Sequence, residues 1–300
     1  MNDAAPIPTF TIHEVEFDPG SVEFAIQRIE VVSVPVVRRG INKHRTDFYH
    51  IIWITGITEE AKIWIDLDCY PLRPHMMCFI SPGQIRAWQG PAFQTAGAVT
   101  GYSIGFTQGF FLDSPDDANA LIQLPYFYGV GAAPVLYAND EQARRFTEVC
   151  KELEREVQLA LDGLLALLHA YMQILLIEAR RIHQAQPGAI HTDTAAFLLT
   201  KRFILLLDAH YLTTSSVADY ADMLHVTSNY LSETVRRTQG QPAGKLIRER
   251  LLLEAKRLLR YSDLPVAEIA TYLNFEDPSY FGRFFKKHTG FTPSAFREQP

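Results

Sequence analysis

The chain has 300 residues, of which 47% are apolar and 21% charged. This composition is sufficient for two domains with hydrophobic cores, and it excludes an intrinsically disordered or fibrous chain. The net charge of -6 is unevenly divided, because residues 195–300 carry 14 Lys and Arg against 11 Asp and Glu, whereas the remaining residues carry 14 against 23.

Cysteine usage and the absence of targeting signals predict a cytoplasmic protein. The first nine residues lack the basic and apolar regions of a signal peptide. The apolar run Leu159–Ile177 is interrupted by polar residues, so it predicts a packed helix and not a membrane span. Three cysteines form no C-x-x-C pair and predict free thiols in a reducing compartment: Cys69, Cys78 and Cys150.

Residues 10–107 alternate short β-rich runs with turns that contain Gly and Pro. Many short strands with regular turns predict a small β-barrel or sandwich. We therefore place a first domain at residues 1–139. The predicted strands are Phe48–Ile54, Ala61–Leu67, Cys78–Ile80 and Ala98–Phe106.

Two helical stretches follow, Glu141–Gln158 and Leu161–His183, each with apolar residues at a spacing of three and four. They define a helical segment at residues 140–185. From their apolar spacing alone, both helices could pack on the β domain. The Pro-Gly stretch that follows predicts a linker at residues 186–194.

Residues 216–239 and 265–289 share one pattern, which predicts a helix-turn-helix in each. Ala221 and Ala270 stand at equivalent places, where a small residue lets two helices approach closely. His225 and Asn274 lie at the sharp turns, where a left-handed backbone is expected. Because Asn tolerates this backbone better than His, the second copy fits the motif more closely.

The segment between the two motifs, Ala243–Leu259, has apolar residues at helical spacing and basic residues on its other faces. A helix of this length is about 25 Å long. It could hold two reading helices near the ~34 Å separation of successive major grooves. We therefore predict an all-α domain at residues 195–300 in which a linker helix joins the two motifs.

The second motif and the residues after it resemble the AraC/XylS family of bacterial transcription regulators. The resemblance covers about residues 197–297; Asn274 departs from the more usual Gly. It implies an N-terminal effector-binding and dimerisation region. In the family the dimer contacts lie in the helical segment at residues 140–185; packing of both helices on the β domain is the alternative. The residues that carry it are Ala270, Leu273, Asn274, Phe275, Asp277, Pro278, Ser279, Tyr280, Phe281, Arg283, Phe285, Lys286, Lys287, Gly290, Thr292, Pro293, Phe296 and Arg297.

The second helix of each motif is expected to bury an apolar pair, Leu231 with Val235 and Phe281 with Phe285, and to turn its polar side chains to DNA. Asn suits adenine, Arg suits guanine, and Glu accepts from the cytosine amino group. Asn229, Glu233 and Arg283 are therefore base-contact candidates, and the paired cations are phosphate-contact candidates. The alternative for each residue is a solvated helix face. The predicted DNA-binding residues are Asn229, Ser232, Glu233, Arg236, Arg237, Ser279, Tyr280, Arg283, Lys286 and Lys287.

The strings around Asp47–Ile54, Tyr70–Pro74 and Phe79–Gln84 resemble the cupin-type sensor domain of this family. Metal-binding cupins generally use His-x-His, a Glu four residues later and a further His. Here those places hold His44, Thr46, His50 and Arg86. A permanent cation at position 86 opposes a metal ion, so we predict no metal and no cofactor.

A domain without a metal leaves the interior of the predicted barrel for an effector of unknown identity. Two readings of Arg86 stay open: a guanidinium inside the barrel would require an anionic partner such as a ligand carboxylate, and a surface Arg would not. Simple filling of the core is the alternative for the aromatic candidates. The predicted effector-binding residues are Phe48, His50, Ile52, Arg86 and Trp88, with Trp53 and Trp64 as further lining candidates.

The predicted fold class is α+β multidomain, with a cupin-like β-barrel, a helical dimerisation segment and an all-α domain. The predicted function is a sequence-specific transcription regulator that senses a small molecule, dimerises, or does both. The alternatives are a ligand-independent regulator with a structural barrel and a cupin-type enzyme. The chain has no Ser-His-Asp, P-loop or Gly-rich constellation, which favours a protein that is not an enzyme. Expected partners are double-stranded promoter DNA, the effector, a second copy of the chain and RNA polymerase; no membrane is expected.

Overall fold

The computed structural model of the chain describes residues 7–12, 19–21, 23–30, 43–107, 109–111, 124–127, 133–186 and 194–298. These residues form two compact units, one within residues 8–191 and one that comprises residue 7 and the residues from 192 onward. Most of the predicted linker at residues 186–194 lies outside the described residues. None of the described helices is long and apolar enough to cross a membrane.

The N-terminal unit contains two β-sheets. One has the strand order β1-β4-β9-β6-β7 and the other β11-β8-β5-β10-β3-β2. The strands are β1 Thr9–Phe10, β2 Pro19–Ser21, β3 Phe24–Glu30, β4 Lys43–Thr46, β5 Tyr49–Ile57, β6 Lys62–Ile65, β7 Asp68–Pro71, β8 Met76–Ile80, β9 Ile85–Gln89, β10 Val99–Phe106 and β11 Val135–Tyr137.

Alternation along β5 divides the interior into two cores. Ile52 and Ile54 pack with residues of both sheets, including Ile63 and Ile65 of β6. The intervening residues of β5, Ile51 and Trp53 among them, point the other way and pack against helices. A strand with both faces covered is apolar along most of its length, which is why this segment lacks the polar alternation of a surface strand.

Two helices cover the six-stranded sheet: α1, Asp140–Leu159, and α2, Leu164–Gln184. A capping box begins α1, since the Asn139 side chain accepts from the Gln142 amide and the Gln142 side chain accepts from the Asn139 amide. Buried residues of both helices, such as Phe146 and Met172, share the core beneath the sheet. Arg28 of β3 donates to both carboxylate oxygens of Glu154 at 2.8 to 2.9 Å and ties α1 to the sheet.

The C-terminal unit is all helical. Its helices agree with the predicted motifs to within two residues at each end. They are α3 Ala195–His210, α4 Val217–Met223, α5 Ser228–Gln239, α6 Ala243–Tyr261, α7 Val266–Tyr272, α8 Pro278–Thr289 and α9 Pro293–Arg297. The α6 helix has 19 residues and is therefore about 28 Å long.

Candidate nucleic-acid interface and buried arginine cluster

Local capping sets the geometry of the first motif, α4 and α5. Ser216 Oγ accepts from the Ala218 amide at 3.1 Å, and Thr227 Oγ1 accepts from the Tyr230 amide at 3.2 Å. His225 has a φ of 56°, the left-handed backbone predicted for the sharp turn. Ala221 is fully buried, so the two helices meet without a larger side chain between them.

The second motif, α7 and α8, repeats this design with a turn that is one residue longer. Five residues, 273–277, separate its helices, whereas four, 224–227, separate those of the first motif. Asp277 Oδ1 accepts from the Ser279 amide at 2.8 Å and caps α8. Asn274 has a φ of 59° and donates from Nδ2 to the Leu212 carbonyl at 2.8 Å. The Asn at this turn therefore links the second motif to the segment that precedes the first.

We call α5 and α8 the recognition helices. Each buries the predicted apolar pair completely: Leu231 and Val235 on α5, and Phe281 and Phe285 on α8. Nine of the ten predicted DNA-binding residues are exposed and Ser232 is half-buried. The exposed residues are Asn229, Glu233, Arg236, Arg237, Ser279, Tyr280, Arg283, Lys286 and Lys287.

The outward side chains of the recognition helices are held by ion pairs. Arg236 donates to both carboxylate oxygens of Glu233 at 3.0 and 3.1 Å, which lowers the pKa of Glu233. On α8, Arg283 lies 3.8 Å from Asp277, with its side chain 71% exposed. Exposed pairs of this kind contribute little to stability, so both can open at small cost. The guanidinium groups are thus available to a ligand outside the unit.

Sequence reasoning missed Tyr230, which is 51% exposed on α5. It occupies the place that Tyr280, 56% exposed, holds on α8. The signal was present, because beyond the turns the two motifs align at an offset of fifty positions. Applying that offset to Tyr280 identifies Tyr230.

In the N-terminal unit, strand pairing brings three of the four metal-ligand positions of a cupin together. β9 lies beside β4, with Arg86 opposite His44. Arg86 Nε donates to His44 Nε2 at 2.6 Å, and Arg86 Nη1 donates to His50 Nδ1. His50 Nε2 in turn lies 2.6 Å from Ser103 Oγ. Arg86 is therefore not a surface residue, which decides between the two readings of this side chain.

Among the described residues, no group of three or more His, Cys, Asp or Glu side chains is arranged to hold a metal ion. Burial lowers the pKa of Arg86 to about 9. Burial, together with the charge of Arg86, lowers the pKa of His44 to about 2. The cluster thus holds one guanidinium and a neutral His44.

A cavity of about 30 Å³ adjoins this cluster, and His50, Ile52, Arg86 and Trp88 line it. Phe48 lies elsewhere, in a cluster with Ile12 and Ala25, although its ring is 5.8 Å from that of His50.

Trp53 and Trp64 do not line the cavity. The residue alternation of β5 turns Trp53 to the helices, where its Nε1 donates to Thr147 Oγ1 at 3.0 Å. Trp64 is half-buried and donates to Gln89 Oε1 at 3.2 Å. Both were wrongly predicted to face the interior between the sheets.

Comparison with known proteins identifies the helical unit. The profile of a family described as a helix-turn-helix domain matches residues 220–299. The HTH-type transcriptional activator RhaR of Cronobacter sakazakii is 34% identical over 84 residues, which cover 26% of this chain and 30% of RhaR. The uncharacterised transcriptional regulatory protein YesN of Bacillus subtilis is 38% identical over 80 residues, which cover 26% of this chain and 22% of YesN. Residues 220–299 are therefore similar to the helix-turn-helix domains of transcription regulators.

These matches rest on the C-terminal unit. The chain spans less than a third of the length of these two relatives. Among solved structures, the crystal structure of a transcriptional regulator (AraC-type DNA-binding domain-containing proteins) from Chromobacterium violaceum is similar to this unit. The two chains are 23% identical, with a TM-score of 0.31, and the match covers 34% of this chain and 94% of the other. The predicted resemblance of the C-terminal unit to helix-turn-helix transcription regulators is confirmed by these matches.

Proposed function

We propose that the protein is a sequence-specific DNA-binding transcription regulator that acts in the bacterial cytoplasm. The observation that carries this proposal is the pair of recognition helices in one unit, each with a buried apolar pair and an exposed polar row. The helix α6 between the motifs, about 28 Å long, is compatible with two successive major grooves, which lie ~34 Å apart.

Within that interface we assign Asn229, Glu233 and Arg283 to base edges, since their side chains are exposed and suit adenine, cytosine and guanine respectively. We assign the cations near the carboxyl ends of the recognition helices to phosphates: Arg236, Arg237, Lys286 and Lys287. Ser232, Ser279 and Tyr280 complete the predicted contact surface.

Selection of duplexes from a random pool by the full-length chain tests the proposal. We expect enrichment of one asymmetric motif, and a fluorescence-anisotropy Kd for it at least ~1,000-fold below that for a scrambled duplex at the same salt concentration. Equal affinity for selected and scrambled duplexes would contradict sequence-specific binding.

We further propose that the two-sheet region is a cupin-like sensor for a small molecule. Its support is the convergence of His44, His50 and Arg86 between the sheets. An effector can change DNA binding only through different affinities for the DNA-competent and incompetent arrangements. The test is the DNA affinity of the protein before and after small molecules are extracted from it and added back.

The size of the cavity favours a second candidate, a regulator in which this region is only a scaffold. Pockets for drug-sized ligands usually enclose ~300 Å³ or more, and the cavity here has about 30 Å³. Identical DNA affinity before and after extraction, with no molecule released on denaturation and detected by mass spectrometry, would support the scaffold.

We propose that the outward face of α2 pairs with a second copy of the chain. Leu167, Ile174 and Ile177 on this face are 40 to 44% exposed, and Ala170 between them is exposed as well. Their positions follow the a and d spacing of a two-stranded coiled coil. Sedimentation velocity should show a dimer that Ile174→Glu converts to a monomer and that the adjacent Gln173→Glu leaves intact. Contact with RNA polymerase stays a prediction.

A further inference from the structure

Arg86 differs from buried Arg257 and half-buried Arg250 in the chemistry of its partners. Arg257 donates to Glu254 at 3.1 Å, and Arg250 donates to Asp208 at 2.7 Å. Arg86 is only 3% exposed, yet in the part of the chain that the structure describes it bonds no carboxylate. Its partners are imidazole nitrogens of His44 and His50. Among the described residues no carboxylate pairs with this buried charge, and a buried charge without an opposite charge is unfavourable.

The two imidazoles beside Arg86 accept from it and carry their own donors on the far side of each ring. A guanidinium only donates, so the imidazole nitrogens that face it accept, and the hydrogen of a neutral ring lies on the other nitrogen. His50 Nε2 therefore donates to Ser103 Oγ at 2.6 Å. His44 Nδ1 is buried, and no described residue bonds it. The cluster thus combines the positive charge of Arg86 with a buried donor, His44 Nδ1, for which the described residues supply no acceptor. An anion requires a positive charge and donors.

The cavity against this cluster supplies the space. Arg86, His50 and Ser103 line it together with the indole of Trp88 and the amide of Gln27. Its volume of about 30 Å³ exceeds the ~10–15 Å³ that one water molecule requires. A species of one to three heavy atoms fits this space, and guanidinium groups bind such anions with short, charge-assisted hydrogen bonds.

We propose that the cavity beside Arg86 binds a small monoanion of halide or carboxylate type. The anion neutralises the guanidinium and accepts from the polar groups that line the cavity. It is either a free ion or the carboxylate end of a larger effector, whose remainder would lie outside the present cavity. Binding of the anion is measurable without DNA and does not require the proposed sensor role. Only an effect of the anion on DNA affinity rests on that role.

Thermal unfolding of the full-length chain, with formate, acetate, butyrate or chloride replacing bulky isethionate at constant ionic strength, tests the proposal. We expect a saturable rise in Tm, since a ligand that binds only the folded state stabilises it by mass action. Arg86→Met should lose this rise. Arg73→Met, which removes an exposed guanidinium from the same unit, should keep it.

The series of anions separates the two sources. A free ion predicts saturation by chloride and formate but not by butyrate, whereas the end group of an effector predicts saturation by all three carboxylates. A rise that is linear in concentration, or equal in the wild type and Arg86→Met, would overturn the proposal and identify surface effects of the salts.

If Arg86→Met does not fold, the line width of the ³⁵Cl NMR signal provides a second measurement. The unaltered protein should broaden the chloride signal, and formate should reverse the broadening. Arg86→Lys, which keeps the charge but loses the planar fork, should broaden it with weaker affinity. No broadening by the unaltered protein would overturn the proposal. Because neither measurement involves DNA, such a failure would leave the proposed DNA binding untouched.

Discussion

Glu233 and Arg283 hold equivalent positions on the two recognition helices but carry opposite charges. We predict that Arg283→Ala weakens binding by about 1 to 3 kcal/mol only for duplexes that carry the guanine it contacts. Anisotropy titrations against duplexes with single base changes measure this difference. Arg145→Ala, an exposed change on α1, is the control and should have no effect. A loss of equal size on every duplex would instead indicate a phosphate contact.

His44 makes the stability of the N-terminal unit depend on pH. Its pKa is 6.5 in the unfolded chain and about 2 when folded, so below pH 6.5 the unfolded chain binds a proton that the folded chain does not. We predict that the free energy of unfolding falls as the pH falls from 6.5, by up to ~1.4 kcal/mol per pH unit.

The variant His44→Gln isolates this dependence, because the amide oxygen can still accept from Arg86 but does not titrate. Urea unfolding at pH 7, 6 and 5 should give a smaller decline for the variant than for the wild type. His183, whose pKa burial also lowers, contributes to both proteins alike. Equal declines would show that His44 is not the responsible group.

At the scale of elements, the sharp turns of the two motifs form a matched pair. His225 and Asn274 both adopt a left-handed backbone, which is unfavourable for a residue with a side chain. We predict that His225→Gly raises the unfolding free energy of the C-terminal unit by about 1 kcal/mol. Asn274→Gly should gain less, because it also removes the hydrogen bond to Leu212. Thermal melts of both variants give the comparison, and a larger gain for Asn274→Gly would contradict it.

The helices of the motifs could be predicted from the sequence because residues close to them along the chain determine where they begin and end. Ser216, Thr227 and Asp277 cap them with their own side chains, and Gly240 and Gly290 end them in the left-handed conformation. The position of Arg86 could not be predicted in this way. It depends on pairing between β4 and β9, about forty residues apart, and on which face of β9 is buried.

The same limit explains the error at Trp53. A strand covered on both faces lacks the regular polar alternation that would show which side faces the other sheet. The packing of α1 against the six-stranded sheet decides it, and this contact joins residues about a hundred positions apart.

For the whole molecule, the acidic balance of residues 1–194 means that attraction to DNA depends on a few cations of the C-terminal unit. We predict that log Kd rises linearly with log salt concentration, with a slope of ~0.9 per neutralised phosphate. Lys287→Ala should lower this slope by ~1 and leave the preferred sequence unchanged. Lys151→Ala, an exposed change on α1, should alter neither. Measuring Kd for both variants at salt concentrations from about 50 to about 300 mM gives the slopes.

The two recognition helices are unlike in side chains and follow turns of different length. A single chain that contacts DNA through two unlike helices has a binding surface that is asymmetric along the duplex. The site read by one protomer is therefore not a palindrome. A protomer bound beside a gene has one fixed orientation along the double helix. Inverting the target in place would then reverse the order in which the two recognition helices follow one another along the gene, with every base contact preserved.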